Sequence, residues 1–423
     1  MMSLALPSLL GFSLESSRVA TDILFPQYLT SADSSSISST LYLVALNGGS
    51  FIATLILTQE IGTTIGVVLA PLSFLILCGS YAALAYIPHY STFSFLVLVS
   101  LIGFATSSAS VSSSSLLQTA ADSDAQKQQR LNAVYRVGGI ISKLTIPIAI
   151  VMANEQQSAI FVVLSVTLFC TACVLQHWTR TSSSNFTKTA KTAKTVKSTN
   201  SSSKPIPCGQ WMQVVLYCVI VSLPNVAGGL VRALLHTRAT SVPIAHSFSQ
   251  MASIATLFLT SMVLEAYSAR KGTPWIAVAI QAALMSGATF GIIVSDNQVD
   301  IVTSFVAFRC VEESAKLTNS TILHQLAHVA QKKQSTRSRL QRFVASQKVI
   351  GAMLKMVCSL VSTHIIRSHG TISALVMANV LCAVGSLGLT YLAVLQNFCC
   401  NKNEKNLHQG SKTKKKQSKS KTS

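Results

Sequence analysis

The stretch FRCVEESAK sets Arg309, Glu312, Glu313 and Lys316 at i, i+3, i+4 and i+7. On an α-helix that spacing makes a single stripe about 100° wide. Glu15, Arg18 and Asp22 share one helix face in the same way, as do Arg136 and Lys143 around Gly139, and Lys348 and Lys355 around Gly351. Ionisable groups set deep in apolar helices in this way usually mark solute or proton paths, and carboxylates among cations can take up and release a proton.

The elements carrying these stripes are apolar. Of 423 residues only 11% are charged, against about 25% in a soluble protein, and the mean hydropathy is +0.48. Runs such as LYLVALNGGSFIATLILT and ISALVMANVLCAVGSLGLTYLAVL recur along the chain, each near the roughly 20 residues needed to cross a bilayer as a helix. Twelve spans are expected, near 8–30, 39–58, 63–87, 93–117, 132–153, 158–177, 211–234, 245–266, 275–295, 301–323, 346–367 and 371–398. The fold class is therefore an all-α membrane protein.

A charge turned to lipid at mid-depth costs about 2.5–3.5 kcal/mol, so the FRCVEESAK stripe would cost about 10 kcal/mol there. The stripes must face protein or a wet cavity, where local pairs such as Arg309–Glu313 and Glu312–Lys316 lower the cost. Pro26, Pro147 and Pro224 are expected to kink or end their spans.

The net charge of +20 sits mostly in joints: a Ser/Thr/Lys linker over 178–210, a tail over 399–423 with eight lysines, and the joints 118–131, 267–274 and 324–345. The opposite joints are poor in cations, Arg238 and Arg367 excepted. That alternation puts both termini and the linker on the cytoplasmic side, with the disordered tail against the anionic leaflet of the bilayer. Nucleic acid is not an expected partner. The sequons at Asn185 and Asn200 fall in the linker and are read as chance; Cys399 and Cys400, at the membrane exit, are candidate palmitoylation sites.

No HExxH, GxSxG or P-loop is present, so neither an enzyme nor a cofactor is expected. Cys170 and Cys173 form a CxxC without a partner pair, and His324 and His328 have no evident third ligand, so no metal site is expected.

The chain is also written twice. IATLILT (52–58) returns as IATLFLT (254–260), and RVGGIISK (136–143) returns as KVIGAMLK (348–355). The joints after spans four and ten carry AQKQQ and AQKKQ. Aligned this way, Lys143 matches Lys355, and Ser107 and Ser108 stand where the second half has Glu312 and Glu313. Two pseudo-symmetric six-helix bundles follow, over 1–177 and 211–398.

Six plus six spans, inward termini and a basic central loop resemble the major facilitator superfamily, with a more distant similarity to equilibrative nucleoside transporters. The joint LEAYSARKGT is similar to a degenerate copy of the superfamily's signature joint, which would make Glu265, Arg270 and Lys271 a cytoplasmic gate. The resemblance implies a central cavity lined by spans one, four, seven and ten, with Asn225 and Arg232 contributed by span seven. It implies a monomeric secondary transporter working by alternating access, with no assigned subfamily. The cation excess within the spans points to a small anionic or zwitterionic solute, held by Arg18, Lys143, Arg309, Lys316, Lys355, Asn225, Ser107 and Ser108. Asp22, Glu312 and Glu313 are the candidates for coupling to a proton. The alternative is a non-transporting membrane receptor or scaffold with a degenerate transporter fold.

Overall fold

The computed structural model describes residues 2–32, 36–58, 63–86, 92–120, 125–153, 156–181, 208–240, 242–267, 273–330 and 336–419. They form twelve α-helices: α1 (Met2–Ala32), α2 (Ser36–Thr58), α3 (Thr63–Tyr86), α4 (Thr92–Ala120), α5 (Ala125–Met152), α6 (Gln157–Thr181), α7 (Cys208–Leu234), α8 (Val242–Tyr267), α9 (Thr273–Val294), α10 (Gln298–Ala330), α11 (Thr336–His369) and α12 (Thr371–Lys419). Helices are the form in which a lone apolar segment satisfies its own backbone groups in lipid. Eight of them hold stretches of 18 to 25 residues long and apolar enough to cross a membrane. The stripe charges interrupt that apolarity in α1 and α10, and α2 keeps a shorter run, Leu41–Leu57.

The helix packing repeats itself. α1 lies on α5, α2 on α4, α3 on α4 and on α6; in the second half α7 lies on α11, α8 on α10, α9 on α10 and on α12. Adding six to each number of the first set gives the second. The seams between halves obey the same rule, since α2 meets α11 and α5 meets α8. The molecule is thus two equivalent six-helix bundles joined along two equivalent seams.

Small residues allow the closest crossings. A Cβ on Gly138 would run into the Ser8 carbonyl, and one on Gly11 into that of Tyr135, so α1 and α5 touch backbone to backbone. Gly351, the repeat partner of Gly139, has more room, with Ser222 Oγ 3.4 Å from the position of a Cβ. Hydroxyls bind α1 to its neighbours: Ser13 to Thr171 at 2.7 Å, Ser16 to Ser142 at 2.9 Å and Ser17 to Tyr81 at 2.9 Å.

Pro147 and Pro224 sit inside α5 and α7, which run on past them. Gly385 on α12 leaves space for the Pro224 ring, whose Cδ would lie 2.8 Å from an added Cβ. The α11–α12 joint is the single residue Gly370, whose φ of +83° suits glycine. Arg238, an exception to the charge alternation, donates to the carbonyls of Ile292, Ile293 and Ser295 and so caps the end of α9.

The tail departs from expectation. α12 continues to Lys419, so 399–419 are helical rather than disordered. A helix already nucleated in the membrane can extend at low cost through Lys, Gln and Asn, which tolerate the helical state. The linker over 182–207 with both sequons, Arg270, Lys271, and the side chains of Pro26, Glu265, His324, His328, Lys348, Cys399 and Cys400 lie outside the described residues.

Candidate functional site

A cavity of about 580 Å³ lies between the two bundles. The four expected helices, α1, α4, α7 and α10, all line it, and so do the seam helices α2, α5, α8 and α11. The seams are where the halves part, so the helices that form them also form the cavity's side walls.

The ionisable stripes converge there. α1 supplies Glu15, Arg18 and Asp22; α5 supplies Lys143, α7 Arg232 and α11 Lys355; α10 supplies Arg309, Glu312, Glu313 and Lys316. Six cations face four carboxylates. Ser107 and Asn225 also line the cavity, although Asn225 donates its amide to Val221 O on its own helix. Ser108 does not: it is buried outside the lining, one residue round the helix from Ser107. Arg136 is exposed away from the cavity, as its position near the end of a span allows.

The ions are linked in a chain. Glu312 accepts from Arg232 at 2.7 and 2.8 Å, from Arg309 on its own helix, and pairs with Lys316 at 3.2 Å. Glu313 pairs with Lys316 at 2.8 Å, with Arg309 at 3.7 Å, and across the halves with Lys143 at 2.9 Å. Arg232 also crosses the halves, to Asp22 at 3.1 Å. Arg18 keeps to Glu15 at 2.6 Å and reaches Ser110 at 3.3 Å. Local spacing suggested Arg309–Glu313 and Glu312–Lys316, and the structure adds the closer i,i+3 pairs Arg309–Glu312 and Glu313–Lys316. The two pairs across the halves, Asp22–Arg232 and Lys143–Glu313, were not anticipated.

Arg232 is the residue that sequence reasoning undervalued. It lies in the last turn of α7, and the resemblance put it on a cavity-lining span without giving it a partner or a role. Asn47, Ser50 and Thr54 of α2 and Gln250 of α8 also face the cavity, and their ordinary polar types carried no periodic signal. Beyond Gln250 on α8, His246 is fully buried against the ring edge of Phe305, and neither ring nitrogen has a hydrogen-bond partner among the described residues.

Packing is tighter at one end of the seams. On the inward face of α11, Ser359, Ser362, Thr363 and Ile366 are buried toward the α11–α12 joint, whereas Gly351, Ala352 and Lys355 nearer the other end are half-buried. On α8, Ala245, His246, Ser249, Gln250 and Ser253 are buried, and exposure rises past them. Asn47 donates to Ser359 across the α2–α11 seam at 3.3 Å.

Two matching helical bundles, many apolar spans and a charged cavity between them define a multi-pass membrane protein with the major facilitator fold. Solved structures agree with that assignment. A POT family transporter in complex with 5-aminolevulinic acid superposes with a TM-score of 0.72 at 10% identity, covering 93% of this chain and 96% of that one. A mutant of the peptide transporter POT gives 0.68 at 10% identity over 92% and 93% of the two chains. A POT family transporter with a thioalcohol-conjugated peptide gives 0.66 at 10% identity over 94% and 96%. No family model matches the chain, and neither does any curated protein. At such identity the likeness establishes the fold.

Proposed function

We propose that the protein is a secondary transporter that carries a small anionic or zwitterionic organic solute by alternating access. One observation carries the reading: the cavity shared by the halves holds six cations against four carboxylates and measures about 580 Å³. That volume is within the range of small-molecule sites. An excess of buried positive charge is costly without a compensating anion, and residues so placed in membranes mark solute and ion paths. The solved neighbours are transporters, and two of them were solved in complex with 5-aminolevulinic acid and with a thioalcohol-conjugated peptide.

In this reading the halves rock about the cavity, and the conformation described is closed at the end bearing the α11–α12 joint. The inter-half pairs Asp22–Arg232 and Lys143–Glu313 act as latches that break as the halves part. Asp22, Glu312 and Glu313 are the candidates for proton coupling; Asp22 and Glu313 are each engaged with a cation of the other half, which suits them to latching, and Glu312 with cations of its own half. Cytoplasmic termini, attraction of the tail to anionic lipid, a monomeric state, palmitoylation at Cys399 and Cys400, and a gate at Glu265, Arg270 and Lys271 belong to the same proposal.

Purified protein in lipid vesicles preloaded with candidate solutes should show counterflow of a labelled anion or zwitterion. A ligand that binds the protein and stabilises it, yet is moved by it in neither direction, would favour the receptor alternative.

A further inference from the structure

Five of the six cavity cations have a carboxylate partner among the described residues. Lys355 has none, and the repeat shows why. Lys143 and Lys355 are equivalent positions in RVGGIISK and KVIGAMLK, and both reach the cavity. Lys143 crosses to Glu313 on α10 at 2.9 Å. The equivalent crossing for Lys355 is toward α4, where the repeat has Ser107 and Ser108 in place of the two glutamates. The second half keeps the lysine, and the first half lacks its counter-ion.

Among the described residues nothing nearby replaces it. The charged groups that line the cavity with Lys355 are Glu15, Arg18 and Asp22 from α1, Lys143 from α5, Arg232 from α7, and Arg309, Glu312, Glu313 and Lys316 from α10, and each of the four carboxylates is already engaged by another cation. Glu312 is already shared by Arg232, Arg309 and Lys316. From α2 and α4 the cavity receives neutral amide and hydroxyl groups, α5 adds Lys143, already held by Glu313, and α12 adds no lining residue.

We infer that the solute itself supplies the missing counter-ion: Lys355 seats its carboxylate or phosphate group and takes up a proton as that group arrives. Lys355 is the described cavity lysine or carboxyl group that can gain or lose a proton without breaking an ion pair. An anion beside it stabilises the ammonium, and by reciprocity the ammonium stabilises the bound anion. Anion and proton then enter the cavity together. This rests on the proposed function in placing the solute in the cavity, and adds which end of it is recognised and where the proton goes.

The test is calorimetric titration of the purified full chain with succinate and with sulfate, in buffers of differing ionisation enthalpy, from about pH 6 to about pH 10.4, the ordinary lysine value. Protons should be taken up on binding, and affinity should fall about tenfold per pH unit once free Lys355 loses its proton. Lys355→Arg should keep anion binding but lose the proton uptake and the pH slope. Lys355→Met should weaken binding tenfold or more. Proton uptake that survives Lys355→Arg, Lys355→Met protein that binds like wild type, or binding by neither anion would overturn the inference. Vesicle flux separates the two readings: proton-linked binding without flux sinks the transport reading alone, and flux unaltered in both variants sinks this one alone.

Discussion

Replacing Glu312 by Gln tests the ion network at its centre. The Glu312 side chain is 2% exposed and serves Arg232, Arg309 and Lys316. Gln keeps the shape but loses the charge and turns an NH₂ toward a guanidinium. Breaking a buried pair by removing one partner costs about 3–5 kcal/mol. The low end applies, because Arg232 retains Asp22 and Lys316 retains Glu313. Arg309 is left worst, since among the described residues it keeps Glu313 alone, at 3.7 Å. Glu15→Gln is the control: its partner Arg18 is 43% exposed, and such a pair contributes at most about 1 kcal/mol. In a reversible unfolding assay in mixed detergent, Glu312→Gln should therefore be less stable than Glu15→Gln by about 2 kcal/mol or more. Adding Arg309→Gln to Glu312→Gln should cost less than the sum of the two single changes, with a coupling of roughly 0.5–3 kcal/mol. Equal stability of the Glu312→Gln and Glu15→Gln proteins, or strict additivity of the double change, would refute the reasoning.

Lys143→Met removes a latch while leaving Glu313 with Lys316 and Arg309, so thiol labelling of Ser359→Cys at the opposite seam should speed up; an unchanged rate would count against rocking. Gly138→Ala forces a Cβ into the Ser8 carbonyl and should cost about 1–3 kcal/mol or more, whereas Gly351→Ala, with Ser222 Oγ at 3.4 Å, should be close to neutral in the same unfolding assay. His246→Phe keeps the edge contact with Phe305 and removes two buried nitrogens that lack partners among the described residues. It should raise stability by about 1–3 kcal/mol, and a loss instead would mean that the ring holds a bound water or ion.

That the chain is a duplicated bundle of membrane helices, with charged stripes facing inward, was legible from the residues alone. Both conclusions need only local facts: span length against bilayer thickness, the cost of a charge in hydrocarbon, and repeated words such as IATLILT and IATLFLT. The repeat likewise marked Lys143 and Lys355 as counterparts. Tertiary structure decided which ions meet. Arg232 joins Asp22 to Glu312, and Lys143 finds Glu313 a hundred and seventy residues away. Such pairings follow from how eight helices cross around one space, which periodicity within any single helix does not encode. The same crossings left Lys355 facing other cations and a serine-lined wall, and bent no part of the chain to give it a carboxylate.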